Sequence, residues 1–117
     1  MKEKKFRAGL VQIPVVLGDR RANMESVERW LSEYYQPADM TTALALPELW
    51  DTGYALDAVP KLADRNAAEA AEFLGRMAKK YGCWFTGGSV MTEDNGKYYN
   101  RTLIINPQGE LVTHYDK

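Results

Sequence analysis

Thr42-Ala43-Leu44-Ala45-Leu46 runs straight into Pro47-Glu48-Leu49-Trp50-Asp51-Thr52-Gly53-Tyr54, and the join between these halves decides the fold. The first half is a short apolar run closed by a proline, which reads as a buried strand. The second half mixes polar and apolar residues around Gly53, and Pro60 follows. From Glu48 to about Asp64 the chain therefore reads as a long loop with room for one helical turn. A strand that empties into a polar loop is where an open α/β sheet would carry its chemistry, so its neighbours matter.

Upstream, Phe6 to Ile13 reads as another short buried strand, with Ala8, Leu10, Val11 and Ile13 in a run ended by Pro14. Gly18-Asp19 breaks the chain again. Asp19 is a cap for the helix that follows, with a start nearer Asn23 as the alternative. In that helix Met24, Val27, Leu31 and Tyr34 recur at spacings of three and four and form one apolar stripe. Arg20, Glu25, Arg29 and Ser32 are free to face water, and Pro37 ends the helix. Downstream, Asn66 is placed to cap a second helix. Its Ala67, Ala70, Ala71, Leu74, Met77, Ala78 and Tyr81 keep the helical period, and Gly82 supplies the stop. Cys83 to Val90 is an apolar strand whose Gly87-Gly88 implies a bulge or a close backbone approach. Asp94-Asn95-Gly96 predicts a hairpin turn. Strands Lys97–Asn106 and Glu110–His114 follow, joined by the turn sequence Asn106-Pro107-Gln108-Gly109. The order is β-α-β-α-β-β-β, an α/β class with helices packed on an at least partly parallel sheet. There is no internal repeat and no linker. Two helices are few for five strands, and the last strand ends on Lys117 with no closing helix, so the chain reads as cut.

The 117 residues suffice for one domain with a core, and 45% hydrophobic with 26% charged residues is an ordinary globular composition that makes disorder a poor reading. Lys plus Arg number 15 against 16 Asp plus Glu, so the net charge of −1 gives no electrostatic reason to expect nucleic acid or a membrane surface. Lys2, Lys4 and Lys5, diluted by Glu3, read as a solvated terminus. No apolar run is long enough for a membrane span, and no leader pattern is present. One cysteine excludes an internal disulfide, and no Cys/His pair has metal-ligand spacing. A reducing cytoplasm is the expected compartment.

Glu48 is the first candidate for chemistry. At the carboxyl end of a strand, beside Trp50 and Tyr54, it would be partly desolvated, which raises its pKa and makes it a better base near neutral pH. Position alone favours a solvated loop glutamate over that role. Lys117 is the second candidate, as an ammonium able to stabilise an oxyanion, against the plainer reading of a solvated terminal lysine. Cys83 invites a nucleophile reading with His114 and Glu48. However, it follows a helix carboxyl end and opens an apolar strand, where a small buried residue is expected. His114 reads as a strand-surface residue, and Tyr98-Tyr99 as packing. Gly87-Gly88-Ser89 is too short for a phosphate loop.

Taken in order, these segments resemble the nitrilase superfamily of carbon–nitrogen hydrolases. Ala8-Gly9-Leu10-Val11-Gln12 is similar to its first strand, and Asn23 falls where its first helix carries an asparagine. Pro47 to Tyr54 resembles its glutamate motif, and Gly87-Gly88-Ser89 lies where a family strand has glycines. Asn100-Arg101-Thr102 with Pro107-Gln108-Gly109-Glu110 resembles its paired strands, and His114-Tyr115-Asp116-Lys117 its lysine motif. The resemblance covers essentially the whole chain. It implies the N-terminal part of an αββα sandwich, with residues 1–117 forming the first portion of a single hydrolase domain, cut after the lysine motif. It implies Glu48 as general base and Lys117 as stabiliser of the tetrahedral intermediate, with Tyr54 at the substrate. The nucleophilic cysteine and a second glutamate would lie beyond residue 117, and Cys83 matches neither. Asp116 stands where many members carry arginine, which resembles the omega-amidase branch acting on 2-oxoglutaramate and related oxo-acid amides. No metal or cofactor is implied, and the usual assembly is a homo-oligomer.

Three readings result. The first is an amidase for a small non-peptide amide, working through a cysteine thioester, of which these residues alone are inactive. The second is a non-catalytic fragment that acts only by association through an unpaired sheet edge. The third is a small cysteine hydrolase built on Cys83.

Overall fold

In the computed structural model, which describes residues 4–117, the elements run β1 (Phe6–Leu10), α1 (Arg20–Tyr34), β2 (Thr41–Ala45), a 3-10 turn (Leu56–Ala58) entering α2 (Val59–Leu62), β3 (Asp64–Arg65), α3 (Ala68–Tyr81), β4 (Trp84–Gly87), β5 (Val90–Asp94), β6 (Lys97–Ile105) and β7 (Leu111–Asp116). Of the basic terminus, Lys2 and Glu3 lie outside the described residues. The strands share one sheet. β1, β2 and β4 are parallel neighbours, and β4 and β5 both run antiparallel along one edge of β6. β7 takes the other edge of β6, and β3 lies parallel to β5. The expected class holds, and the expected order holds with three additions: α2 and the two-residue β3 where the long loop was expected, and a further strand where Cys83–Val90 divides.

Both long helices bury their apolar rows on one face of this sheet. Val27 and Leu31 of α1 and Ala70, Phe73, Leu74, Met77 and Ala78 of α3 form one cluster with Leu44, Phe85, Leu103 and Ile105. Among the described residues the other face carries no helix. On it Phe6 is 64% exposed, Leu10 71% and Tyr115 69%. The apolar run 6–13 predicted a buried strand, but β1 is an edge strand with one face open. Apolar content alone does not distinguish a row that meets a helix from one that awaits another layer. One helical layer on one sheet is half of the four-layer arrangement that the resemblance implies.

Three local expectations are corrected. Tyr34 is 66% exposed and leaves the stripe of α1, while Asn23 is fully buried. Asn66 does not cap α3. The residue before the helix is Ala67, at φ 52 with no side-chain cap, and the Asp64 carboxylate instead takes the amides of Glu69 (3.1 Å) and Ala70 (2.9 Å). A carboxylate there also suits the positive end of the helix dipole. Cys83–Val90 is not one strand, because Gly87-Gly88 breaks it into β4 and β5. A Cβ on Gly88, at φ +87, would lie 2.6 Å from the Leu46 carbonyl oxygen, so only glycine permits the approach. Asp19 does cap α1 through the Ala22 amide, Gly82 ends α3 at φ 67, and Asn95-Gly96 turns the hairpin at φ 52 and 77.

Candidate active site

β1, β2 and β4 point their carboxyl ends the same way, and the chain leaves β2 there into the segment 47–53. The backbone reverses at Leu49 (φ 48), closed by a bond from the Gly53 amide to the Leu49 carbonyl at 2.7 Å. Ser89, displaced by the glycine break, clamps the reversal. Its hydroxyl accepts from the Leu49 amide (2.9 Å) and its carbonyl from the Trp50 amide (3.1 Å). Trp50 therefore turns inward, 1% exposed, and packs on Phe73. It does not stand beside Glu48, as the sequence suggested.

Two buried polar residues fix the far side of the reversal. Asn23 accepts from the Val16 amide (2.7 Å) and donates to the Val16 and Asp51 carbonyls (2.9 and 2.7 Å), tying both loops at the sheet edge to α1. Asp51 is fully buried and accepts from Arg20 Nε at 3.1 Å and the Met91 amide at 3.4 Å. Arg20, expected in water, also donates to the Leu62 carbonyl. Burial pushes the Asp51 carboxyl up from 3.8 to about 6, against the opposing pull of Arg20. The folded chain thus keeps a proton that the unfolded chain has lost, so this group's contribution to stability is full below about pH 4 and drains as pH rises through 6. Urea unfolding of the wild type and Asp51→Asn should diverge over that window, the difference moving in favour of the variant by up to about 1.4 kcal/mol per pH unit. A difference that stays flat from about pH 4 to about pH 7 would remove the assignment.

Glu48 projects from the reversal with its side chain 43% exposed. Oε1 accepts from the Tyr54 hydroxyl. Oε2 accepts from Asn100 Nδ2 at 3.1 Å and from Lys117 Nζ at 3.3 Å. β7 delivers Lys117, whose amide also bonds the Asn100 carbonyl at 2.9 Å. Just before it, Asp116 receives a two-pronged bond from Arg101, Nε to Oδ1 at 2.6 Å and Nη2 to Oδ2 at 3.0 Å. The structure therefore brings together Glu48, Lys117 and Tyr54, and adds Asn100. The sign of the Glu48 shift reverses the sequence expectation. The Tyr54 hydroxyl, then Lys117 and Asn100, hold its carboxyl below the ordinary value, and desolvation is the weakest influence. Tyr54 is 61% exposed, and Glu48 pushes its phenol up.

The remaining candidates fall away from this cluster. Cys83 is fully buried, and burial pushes its thiol up to about 11, with Arg7 pulling weakly the other way. A thiol so placed is a packing group, and the third reading fails. His114 is exposed on β7, and Gly87-Gly88-Ser89 is a structural break. Among the described residues no group of three or more His, Cys, Asp or Glu is placed to hold a metal ion, and no helix is long and apolar enough to cross a membrane.

A family model described as carbon–nitrogen hydrolase matches residues 7–117. The chain is 32% identical over 113 residues to a 2-oxoglutaramate amidase of Bacillus subtilis, covering 97% of this chain and 42% of that protein. It is also 32% identical to an omega-amidase of Xenopus laevis, with 97% and 40% covered. Among solved structures, Nit3 of Saccharomyces cerevisiae, a member of branch 10 of the nitrilase superfamily, superposes with a TM-score of 0.76 at 27% identity, over 92% of this chain and 42% of that one. A carbon–nitrogen hydrolase superfamily protein from Xanthomonas campestris gives 0.79 at 26% identity, with 92% and 38% covered. The chain spans about two fifths of the length of these relatives. With the family match running from β1 to the last residue, the chain belongs to the carbon–nitrogen hydrolase family.

Proposed function

We propose that these residues form the first portion of a single amidase domain, one that hydrolyses a small non-peptide amide to an acid and ammonia. In that domain Glu48 is the general base and Lys117 stabilises the oxyanion. The observation that carries this reading is one contact: Glu48 Oε2 lies 3.3 Å from Lys117 Nζ across 69 positions of sequence. Association alone, the second reading, gives no reason to gather a carboxylate, an ammonium, a phenol and an amide at the carboxyl ends of parallel strands. The omega-amide of an oxo acid is the substrate class proposed first, because a 2-oxoglutaramate amidase and omega-amidases are among the chain's relatives.

The nucleophile in this reading is a thiol outside residues 1–117, since the one cysteine of the sequence is buried. Glu48 takes the thiol proton and the thiolate attacks the amide carbon. The carbonyl oxygen gains the negative charge and is met by the Lys117 ammonium, already held at the site. The C–N bond breaks as Glu48 passes its proton to the leaving ammonia. Water then hydrolyses the thioester, with Glu48 again accepting a proton, and the thiol is restored.

Two measurements test this. The 117-residue chain alone should release no ammonia from 2-oxoglutaramate. The same chain joined to the part of the Bacillus subtilis enzyme beyond the matched segment, in a chimera that unfolds cooperatively, should release it. Turnover by the lone chain, or a folded chimera without turnover, would overturn the reading.

A further inference from the structure

We infer that Asn100 is a positioning residue that keeps Glu48 in place while Lys117 is drawn away to the oxyanion. This rests on the proposed roles of those two residues. The geometry is economical: one residue touches both partners. Its Nδ2 donates to Glu48 Oε2 at 3.1 Å, and its backbone carbonyl accepts the Lys117 amide at 2.9 Å. Asn100 sits in β6, which is antiparallel to both β5 and β7. It therefore gains its place from the rigid sheet rather than from the loop that carries Glu48.

The need for such a residue follows from the reaction. Lys117 Nζ and Asn100 Nδ2 share Oε2, and among the described residues Tyr54 alone donates to Oε1. When negative charge develops on the substrate oxygen, the ammonium must serve that oxygen, and without Asn100 the carboxylate would keep Tyr54 on Oε1 but have no donor on Oε2, free to swing about its one remaining bond. A neutral amide donor cannot be drawn away by the oxyanion, because the sheet holds it. It also leaves the carboxylate charged and able to accept a proton, which a second cation would oppose more strongly.

A second observation supports the assignment. Asn100 Oδ1 is buried and has no hydrogen-bond partner among the described residues. Buried polar atoms are nearly always paired, so an unmatched acceptor calls for a reason, and the bond made by the other end of the same amide supplies one. Rotating the amide by half a turn would set Oδ1 against Glu48 Oε2, acceptor against acceptor, so the carboxylate selects the observed orientation. An apolar residue of the same size would fill this place without stranding an oxygen. The amide is therefore present for its donor.

The test uses Asn100→Leu, close to asparagine in size and lacking the donor. In the 117-residue chain with carbon-13 glutamate, the Glu48 carboxyl signal is assigned by its loss in Glu48→Gln and titrated. Its midpoint should rise in Asn100→Leu, while amide signals of β6 and β7 keep their dispersion. In the chimera, kcat should fall on the order of tenfold to a hundredfold with KM nearly unchanged, as displacement of a reacting group predicts. If leucine prevents folding, Asn100→Ser is read in the same way, its hydroxyl being too short to reach the carboxylate. A folded variant whose Glu48 midpoint stays at the wild-type value overturns the inference. Failure of the underlying reading looks different: Glu48→Gln would then leave ammonia release by the chimera intact, whatever the midpoint does.

Discussion

Replacing Glu48 by glutamine should lower turnover of the joined enzyme by roughly a hundredfold to ten-thousandfold, the range a positioned general base supplies. It should leave urea unfolding of the chain unchanged. The two expectations separate because the side chain is 43% exposed and contacts only other groups at the surface of the site. Glutamine keeps the size and one acceptor, and water can meet what it leaves. What it cannot do is take a proton from a thiol. The lowered carboxyl pKa sharpens the expectation. Tyr54, Lys117 and Asn100 hold the Glu48 carboxyl below its ordinary value, so the proposed base is ionised at neutral pH but weak. Any segment that covers the exposed carboxylate removes water from it and pushes its pKa upward. The acid limb of kcat/KM in the joined enzyme should accordingly lie above the Glu48 midpoint measured in the chain alone. A Glu48→Gln chimera within tenfold of the parent would mean that another group accepts the proton.

How far the sequence could reveal this site depends on the distance over which each contact acts. Glu48 was readable because a strand, a proline and a polar loop are adjacent in the chain, and Asp19 and Asn95-Gly96 for the same local reason. Lys117 carried no local signal, and only the ordered set of motifs singled it out. Asn100 was not readable as a site residue, since its bond to Glu48 joins positions 52 apart and the pairing of β6 with β7 decides it. Trp50 is close to Glu48 in sequence but not in space. The left-handed Leu49 puts Glu48 outside and Trp50 in the core. The cap of α3 was missed because two left-handed residues, Asn66 and Ala67, separate Asp64 from the helix it serves. Asp51, Asn23 and Ser89 look like ordinary loop and helix polar residues. Their burial, which makes them a clamp on the Glu48 segment, exists only once α1 and β5 are in place.

Arg101→Leu should destabilise the chain by about 3 kcal/mol, toward the lower end for breaking a buried ion pair by removing one partner. The Arg101 side chain is 3% exposed and holds four acceptor atoms. These are both oxygens of Asp116, Asp94 Oδ2 at 3.3 Å and Asn66 Oδ1 at 3.0 Å. It therefore links β6 to β7, to the end of β5 and to the segment entering α3. Leucine fills part of the volume but leaves these acceptors without a donor. Asp116 and Asp94, at 27% and 41% exposed, can recover some hydration, which is why the lower end applies. Arg101→Lys should fall between, because a lysine keeps the charge but cannot make the fork. The pH dependence identifies the cause. Arg101 holds the Asp116 carboxyl below its ordinary 3.8. Stability from that pair is present in full above this value and drains as pH falls beneath it. The penalty of Arg101→Leu should therefore be largest near neutral pH and shrink in acid, the reverse of the trend expected for Asp51. A penalty below about 1 kcal/mol at neutral pH would show the fork to be energetically idle. If the penalty is as argued, Asp116 is bound one residue before Lys117, and the same substitution should also raise the Glu48 midpoint by loosening the ammonium beside it.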